Sequence, residues 1–541
     1  MTREGCVVVQ PFVRTGLGVL IAAFVAVSLS AAVALTTGPS EPESPRGYVD
    51  TTYVPPSGRV IAVQAGGDFQ AALNAARAGD VITLEAGATF AGPFTLPNKP
   101  GDDWIIVRSS APDGKLPPPG TRVDPAHADA MPKLASRSGG VIRAARGAHH
   151  YRFIGIEIHP AAGVFLYNLV ELGTTETAVA LLPHHLIIDR CYLHGDPKRG
   201  TRRGIALNSR HTAVVDSYLA DFKEVGADSQ AIAGWNGEGP FKIVNNYLEG
   251  AGENVMFGGA DPSIPNLVPS DIEIRRNYFA KPLAWKLGDP AYEGTPWTIK
   301  NLFELKSARR VLVDGNVLER NWAHAQTGFA VLFTVRSSAT TPWTVVEDVA
   351  FTNNIVRHTA SGINILGQND AFPSQQTKRI AIKNNLFDDV GAASWGGGGR
   401  LFQLLAGAAD VVIDHNTAFH TGPIIVAEGA AYTGFVFRNN IVPHNDYGIS
   451  GSGSGTGKPT LDKYFPDAVV KKNVIVGGNA AHYPSDNFFP RSLDAVGFVD
   501  QQRGDVRLRE SSRYRKAGTD GKDSGVDVDA LPAVGVRRPS T

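Results

Sequence analysis

The chain has 541 residues with 52 basic and 52 acidic side chains, so no net charge draws it to nucleic acid or an anionic membrane, and a site for a charged polymer must be local. Its only cysteines, Cys6 and Cys191, lie on opposite sides of an apolar run and give no disulfide framework. No Walker, Rossmann, HExxH or nucleophile-elbow motif occurs, which removes nucleotide-driven and protease chemistry.

The apolar run extends from Leu17 to Leu35, broken only by Gly18, Ser28 and Ser30, and follows Arg3 and Arg14. That polarity is the one an export segment has. Residues 1–35 read either as a signal peptide, cut after the small pair Ala32 and Ala34, or as a single-pass anchor, since the run is just long enough to span a bilayer. Either way the remainder is exported, extracellular or periplasmic, and meets a membrane only through that segment. Residues 36–57, rich in Pro, Ser, Thr and Glu, read as a linker. Next, Asp68 is placed to cap a short helix with the apolar side Phe69, Ala72, Leu73 and Ala76, and Gly79 ends it before a strand from Val81 to Leu84. A helix here would close the end of a stack of coils, where unpaired edges are otherwise exposed. Asp113 to Ser138 is Pro- and Ala-rich without alternation and reads as a surface excursion.

From about Gly140 to Gly478 one phrase recurs: LIIDRCYLHG, AVVDSYLADF, FKIVNNYLEG, IEIRRNYFAK, VLVDGNVLER, VAFTNNIVRH, IAIKNNLFDD, VVIDHNTAFH and FVFRNNIVPH. Its turn residues are Cys191, Ser217, Asn246, Asn277, Asn316, Asn354, Asn385, Asn416 and Asn440, roughly 24 to 39 residues apart, the period of a solenoid. Each phrase alternates with the period of a half-buried strand, and none holds a helical pattern. Asn tolerates left-handed backbone, and its amide can bond backbone or the equivalent Asn one coil away. Stacked turns of this kind make an asparagine ladder. The expected fold is therefore all-β: a single-stranded right-handed parallel β-helix of about ten coils with a short N-terminal capping helix. It occupies one domain, 58–530, followed by a tail, 531–541; repeat proteins escape the usual count of domains by length. Cys191 reads as a small buried hydrophobe. In the turn-rich closing stretch, Asp520, Asp523 and Asp527 read as turn residues, without EF-hand spacing.

After each turn phrase a further strand follows, in GIALNSR, NLFELKSA, AVLFTVR, GINILGQN and LFQLLAG. With Ile205, Leu207, Phe303, Leu305, Phe333, Val335, Ile363, Ile365, Phe402 and Leu404 inward, the alternate side chains face out. Those are Asn208, Glu304, Lys306, Arg336, Asn364 and Gln403, with Asn254 near them. At about 4.8 Å per coil they would line a polar groove suited to a linear polymer. Trp235, Asp261 and His324 lie at coil corners and extend the candidate sugar-binding surface. Asp228 and Asp261 are the candidate acid pair of a glycoside hydrolase. His149 with His150, and His184 with His185, are neighbours on strands whose side chains should point to opposite faces, so no metal site is expected. Charge is densest at Glu304, Lys306 and Arg336. Removing the proton beside a sugar-ring carboxylate needs a base of lowered pKa and a positive charge, and a Lys beside an Arg can supply both.

The opening helix followed by GDVITLEAGATF resembles the start of secreted β-helix proteins of the pectate-lyase-like superfamily. The phrase ELKSARRVLVDGN resembles the KSxxNxxxxN stretch of polysaccharide lyases of the alginate lyase and chondroitinase B type. That resemblance implies a β-eliminating enzyme with Lys306 as base and Arg336 as acid, acting as a monomer on an acidic polysaccharide. It also implies calcium, but the positions of the calcium carboxylates hold Ile299 and Asn301; no cofactor is expected. Two other functions stay open, a non-catalytic cell-surface or adhesion protein and a glycoside hydrolase.

Overall fold

A computed structural model describes residues 39–533; the expected export segment and the last residues of the tail lie outside them. Between Val60 and Val476 the chain visits three parallel sheets in turn, of 14, 13 and 12 strands, and each strand pairs with its equivalent one coil away. One coil runs Ala308–Asp314 in the first sheet, Val317–Asn321 in the second and Phe329–Thr334 in the third, before Val346–Thr352 re-enters the first. This is the expected right-handed parallel β-helix, the hand that nearly all parallel crossovers take. The ten side chains assigned inward in the third sheet are all buried in one continuous core.

The ladder forms as expected and runs further. From Asn246 through Asn277, Asn316, Asn354, Asn385, Asn416 and Asn440, each residue donates its backbone N–H at 2.9–3.1 Å and its amide Nδ2 at 2.9–3.1 Å to the Oδ1 of the next. Asn473 and Asn487 continue it, and Ser217 and Cys191 precede it. Left-handed backbone belongs to the residue before each rung from Cys191 to Asn473, such as Asn245, Arg276, Asn353, Asn384 and His415 at φ 53–58°. The rung itself is free to spend its amide on the neighbouring coil. Cys191 is fully buried, with its thiol pushed up to about 12 by desolvation.

Coils begin earlier than the expected Gly140. Val81–Leu84, Thr89–Ala91 and Phe94–Leu96 make one coil; Ile105–Ser109, Lys133–Ser136 and Ile142–Ala144 make the next. Their strands are short and lack the Asn phrase. The excursion accordingly ends at Lys133, and its Arg122 reaches over the coil corner to the carbonyls of Asn245 and Arg276.

Both ends are closed. Asp68 Oδ1 accepts from Ala71 N at 2.8 Å to cap the helix Phe69–Ala75, whose Phe69 packs 4.8 Å from Phe94. A second helix, Lys458–Tyr464, buries Leu461 and Tyr464 at the other end. From residue 39 on, the expected linker is an extended strap over the outside of the first sheet. Its Glu43 and Arg46 backbone N–H groups bond Asp348 and Asp271 at 2.9 and 2.8 Å, and Val49 is buried against Ile187, Ala213, Val215 and Val244. The composition that suggests a linker here is one whose backbone groups are satisfied by charged side chains on successive coils. At the other terminus the chain folds back over the second sheet, covering Ile355, Leu386, Ile441, Val474 and Val476. Asp520, Asp523 and Asp527 accept from Lys522, Lys516 and Asp529 backbone N–H groups at 2.9–3.1 Å, as turn residues do.

Candidate functional site

Because the strap lies on the first sheet and the C-terminal segment on the second, the third sheet keeps an outer face between long connections. Residues 281–300, 322–328 and 391–401 enter its strands on one side; residues 258–269, 335–345 and 367–377 leave on the other. On the floor, Glu304, Leu332, Asn364 and Gln403 pair in register on consecutive coils. The expected outward column is therefore present for Glu304, Asn364 and Gln403.

Lys306 follows directly after the strand Asn301–Leu305, and the Arg336 N–H donates to the Lys306 carbonyl at 3.0 Å, placing the two on adjacent coils. Gly258, at φ 87°, lets the preceding coil pass against them: a Cβ there would lie 2.6 Å from Ser307 N. Glu304, Lys306, Arg336, Trp235 and Asp261 line one cavity of about 340 Å³, together with Leu332 and Thr334. That volume suits a small ligand or one stretch of a larger one. His324 lies in the adjoining hollow with Arg400, and Gln326 lines both. The His324 ring accepts from the Ile299 N–H at 3.3 Å, which ties it to the wall.

The electrostatics of this pocket differ from the sequence expectation. The Lys306 ammonium is 3.6 Å from Glu304 Oε2, and Glu304, with Glu253 and Asp228 beyond it, outweighs burial and raises the Lys306 pKa above its ordinary value. A base of lowered pKa is thus not what Lys306 provides. Glu304 is only 2% exposed, and its Oε2 has no hydrogen-bond partner among the described residues. Burial pushes its carboxyl up to about 7, against the pull of Lys306. Arg336 keeps 44% side-chain exposure and pairs with Asp370 at 2.7 Å. A guanidinium does not give up its proton in proteins, so Arg336 can offer charge and donors rather than act as an acid.

Around the pocket the polar side chains form a chain. Lys300 pairs with Asp228 at 2.5 Å and lies 3.8 Å from buried Glu253, which accepts from Gln230 at 2.8 Å; Gln230 accepts from Arg203 at 3.0 Å, and Arg203 sits 4.8 Å over the Trp235 ring. Lys300 and Arg203 escape sequence reading because one ends a long connection and the other begins a strand, outside the alternation that marks the column.

Two expected site residues are structural. Asn208 is fully buried and accepts from the backbone of Trp235 and Asn236, and fully buried Asn254 donates to the Leu248 and Ala280 carbonyls. Each stands where a strand meets a corner, and alternation does not tell which way a corner amide turns. Asp261 is engaged by the hydroxyls of Ser338 and Thr340 at 2.7 and 3.1 Å, and Asp228 by Lys300, so both members of the expected acid pair are already partnered. The histidine pairs also depart from expectation. His150 and His185 adopt φ 57° and 51°, which swings the rings of each pair together, Nδ1 to Nδ1, at 2.7 Å.

No protein-family model matches the chain, and a search of curated proteins finds no match. Among solved structures it is similar to the PL6 family alginate lyase AlyGC, at TM-score 0.49 and 13% identity over 89% of this chain. It spans only 59% of that protein's length. It is similar to the catalytic unit of the GH87 alpha-1,3-glucanase from Streptomyces thermodiastaticus strain HF3-3, at TM-score 0.47 and 12% identity, covering 79% of this chain and 70% of that one. A mannuronic acid specific family 6 polysaccharide lyase from human gut microbiota gives TM-score 0.40 and 12% identity, covering 80% and 83%. At such identities and TM-scores the likeness carries no argument about this chain, whose parallel β-helix rests on its own strand pairing.

Proposed function

We propose that this protein binds an acidic polysaccharide along the outer face of the third sheet and cleaves it by β-elimination in the pocket of Glu304, Lys306 and Arg336. The observation that carries the reading is the meeting, in one open cavity, of a carboxyl that titrates near neutrality with an ammonium and a guanidinium. A uronate carboxylate entering the pocket pairs with Lys306, which makes the neighbouring ring C–H more acidic. Glu304, as carboxylate, takes that proton; the C–H electron pair becomes the new C=C bond, and the bond to the glycosidic oxygen breaks. Arg336 stabilises the charge on the departing oxygen, which takes a proton from water in the open groove. Supporting the polymer reading, Trp235 with Arg203 lies to one side, and Asn364, Gln403 and the His324 hollow lie to the other. We place the protein outside the cytoplasm because of the apolar run Leu17 to Leu35; amino-terminal sequencing of the cell-associated and released protein decides between anchor and cleaved signal.

The test is incubation with a panel of uronate polymers, recording the absorbance of an unsaturated sugar. Absorbance that vanishes in E304Q and K306A supports the assignment. New reducing ends without absorbance mean hydrolysis, and binding without new ends means a binding protein; either outcome overturns elimination.

A further inference from the structure

We propose that His149, His150 and His184 form a binding site for one divalent transition-metal ion, on the corner where the third sheet passes into the first. The three side chains each offer a ring nitrogen, and these nitrogens all lie within 4.8 Å of one another. Among the described residues this is the one grouping of metal-type ligands so close. It arises because a His-His step recurs at the start of two paired strands, His149–Ile154 and His184–Asp189, with His149 in register with His184.

Two imidazole Nδ1 atoms 2.7 Å apart share one proton, one ring donating its Nδ1–H to the other, and a metal ion can take that proton's place between them. The arrangement is duplicated one coil on, where the His149 and His184 rings stack 4.7 Å apart within 1° of parallel, and His150 and His185 stack at 4.5 Å. Two metal–imidazole bonds of about 2.0–2.1 Å span at most about 4.2 Å, so small rotations of these half-buried rings close three nitrogens onto one ion. Imidazole donors with nearby carboxylates suit zinc, copper or nickel rather than calcium. The carboxylates are those of Asp102 and Asp103, exposed beside Trp104, whose ring meets the His150 ring edge-on at 5.2 Å.

In the next coil Arg210 pairs in register with His184 and ends that column of imidazoles, while His211 stacks on His185 at 4.7 Å and continues the other. Among the described residues only the nitrogens of His149, His150 and His184 come within 4.8 Å of one another, so one ion per chain is the expected stoichiometry. The site lies four to five coils from Lys306 along the solenoid, about 19–24 Å at the spacing of paired strands, so it is separate from the proposed cleavage pocket.

The experiment is calorimetric titration of the untagged, chelator-treated full chain with Zn2+, Ni2+ and Cu2+. The expected result is one equivalent bound with micromolar or tighter affinity, weakened at least a hundredfold in H149A/H184A. The copper complex should show nitrogen hyperfine splitting from imidazole, and the ion should raise the Tm of the parent protein but not of the variant. If the double variant does not fold, H149A and H184A singly carry the same comparison. Absence of binding below millimolar concentration, or one equivalent bound equally well by the variants, overturns the proposal.

Discussion

A carboxyl group that leaves water for only long contacts holds its proton: Glu304 Oε1 accepts from Thr334 Oγ1 at 3.4 Å and Oε2 lies 3.6 Å from Lys306, and burial still pushes it to about 7 against an ordinary 4.5. Its folded pKa is raised, so between those values the folded chain binds more protons than the unfolded one, and stability falls as pH rises. The shift corresponds to about 3 kcal/mol, lost between roughly pH 4.5 and 7. E304Q should flatten this part of a urea-unfolding series against pH. Glu249, also pushed to about 7 by burial, adds a loss of the same sign, whereas Lys281, lowered to about 7 by burial, makes stability increase with pH only above 7. The same ionisation should appear in kcat/KM: with Glu304 as base, activity on a uronate polymer rises tenfold per pH unit below about 7 and levels off above it, and E304Q loses the activity altogether. Lys306 keeps 16% side-chain exposure beside a buried partner. K306A should therefore cost about 1–3 kcal/mol above pH 7, where it leaves the Glu304 charge uncompensated. That Glu304 faces outward was legible from the alternation of NLFEL. That it is buried was not, because its cover comes from a loop and from coils tens of residues away.

The ladder shows the same division at the level of the strand and its turn. Period and column could be read from the phrases because each rung follows a run of alternating residues. Asn487 was missed because it follows no strand of the first sheet, whereas Asn473 stands in AVVKKNVIV, which carries the same phrase as the other rungs and could have been read as one. The helix Lys458–Tyr464 escaped for a related reason: seven residues starting beside a proline carry too little periodicity to stand out. Each amide serves three partners. Asn354 Nδ2 donates to the Val313 carbonyl and to Asn385 Oδ1, and its Oδ1 accepts the N–H and the Nδ2 of Asn316. Asn354→Leu should leave the buried Asn316 N–H and the Val313 carbonyl without this amide, at about 1–3 kcal/mol, while Asn385 Oδ1 keeps the backbone N–H of residue 354. Since coils contact only their neighbours, amide hydrogen exchange should accelerate most at the coils holding Asn316 and Asn385, and little near Phe90 or Val470. Uniform acceleration along the rod would contradict a nearest-neighbour solenoid.

A rod of stacked coils has two ends and three faces, and the chain disposes of each differently. Helices close the ends. The N-terminal strap takes the first face and the C-terminal segment the second, each burying apolar residues that point outward from the coils, while Arg122 of the excursion reaches over the corner between them. The third sheet has Glu304, Asn364 and Gln403 where the second has Ile355, Leu386 and Ile441, and the apolar side chains in the same row, Met256 and Leu332, are already buried. The open face and the polar face coincide, which is what a polymer site along a rod requires. It follows that the C-terminal segment protects the molecule without building the site. A chain ending at Pro490 should expose Ile441, Val474 and Val476, bind a hydrophobic dye and associate in size-exclusion chromatography, as uncovered apolar patches do. It should still bind a uronate polymer, because the pocket at Lys306 receives no side chain from beyond Thr344. Loss of polymer binding by truncated protein that remains folded by circular dichroism would show that the site extends under the C-terminal segment, and the groove would then have to be redrawn onto the second sheet.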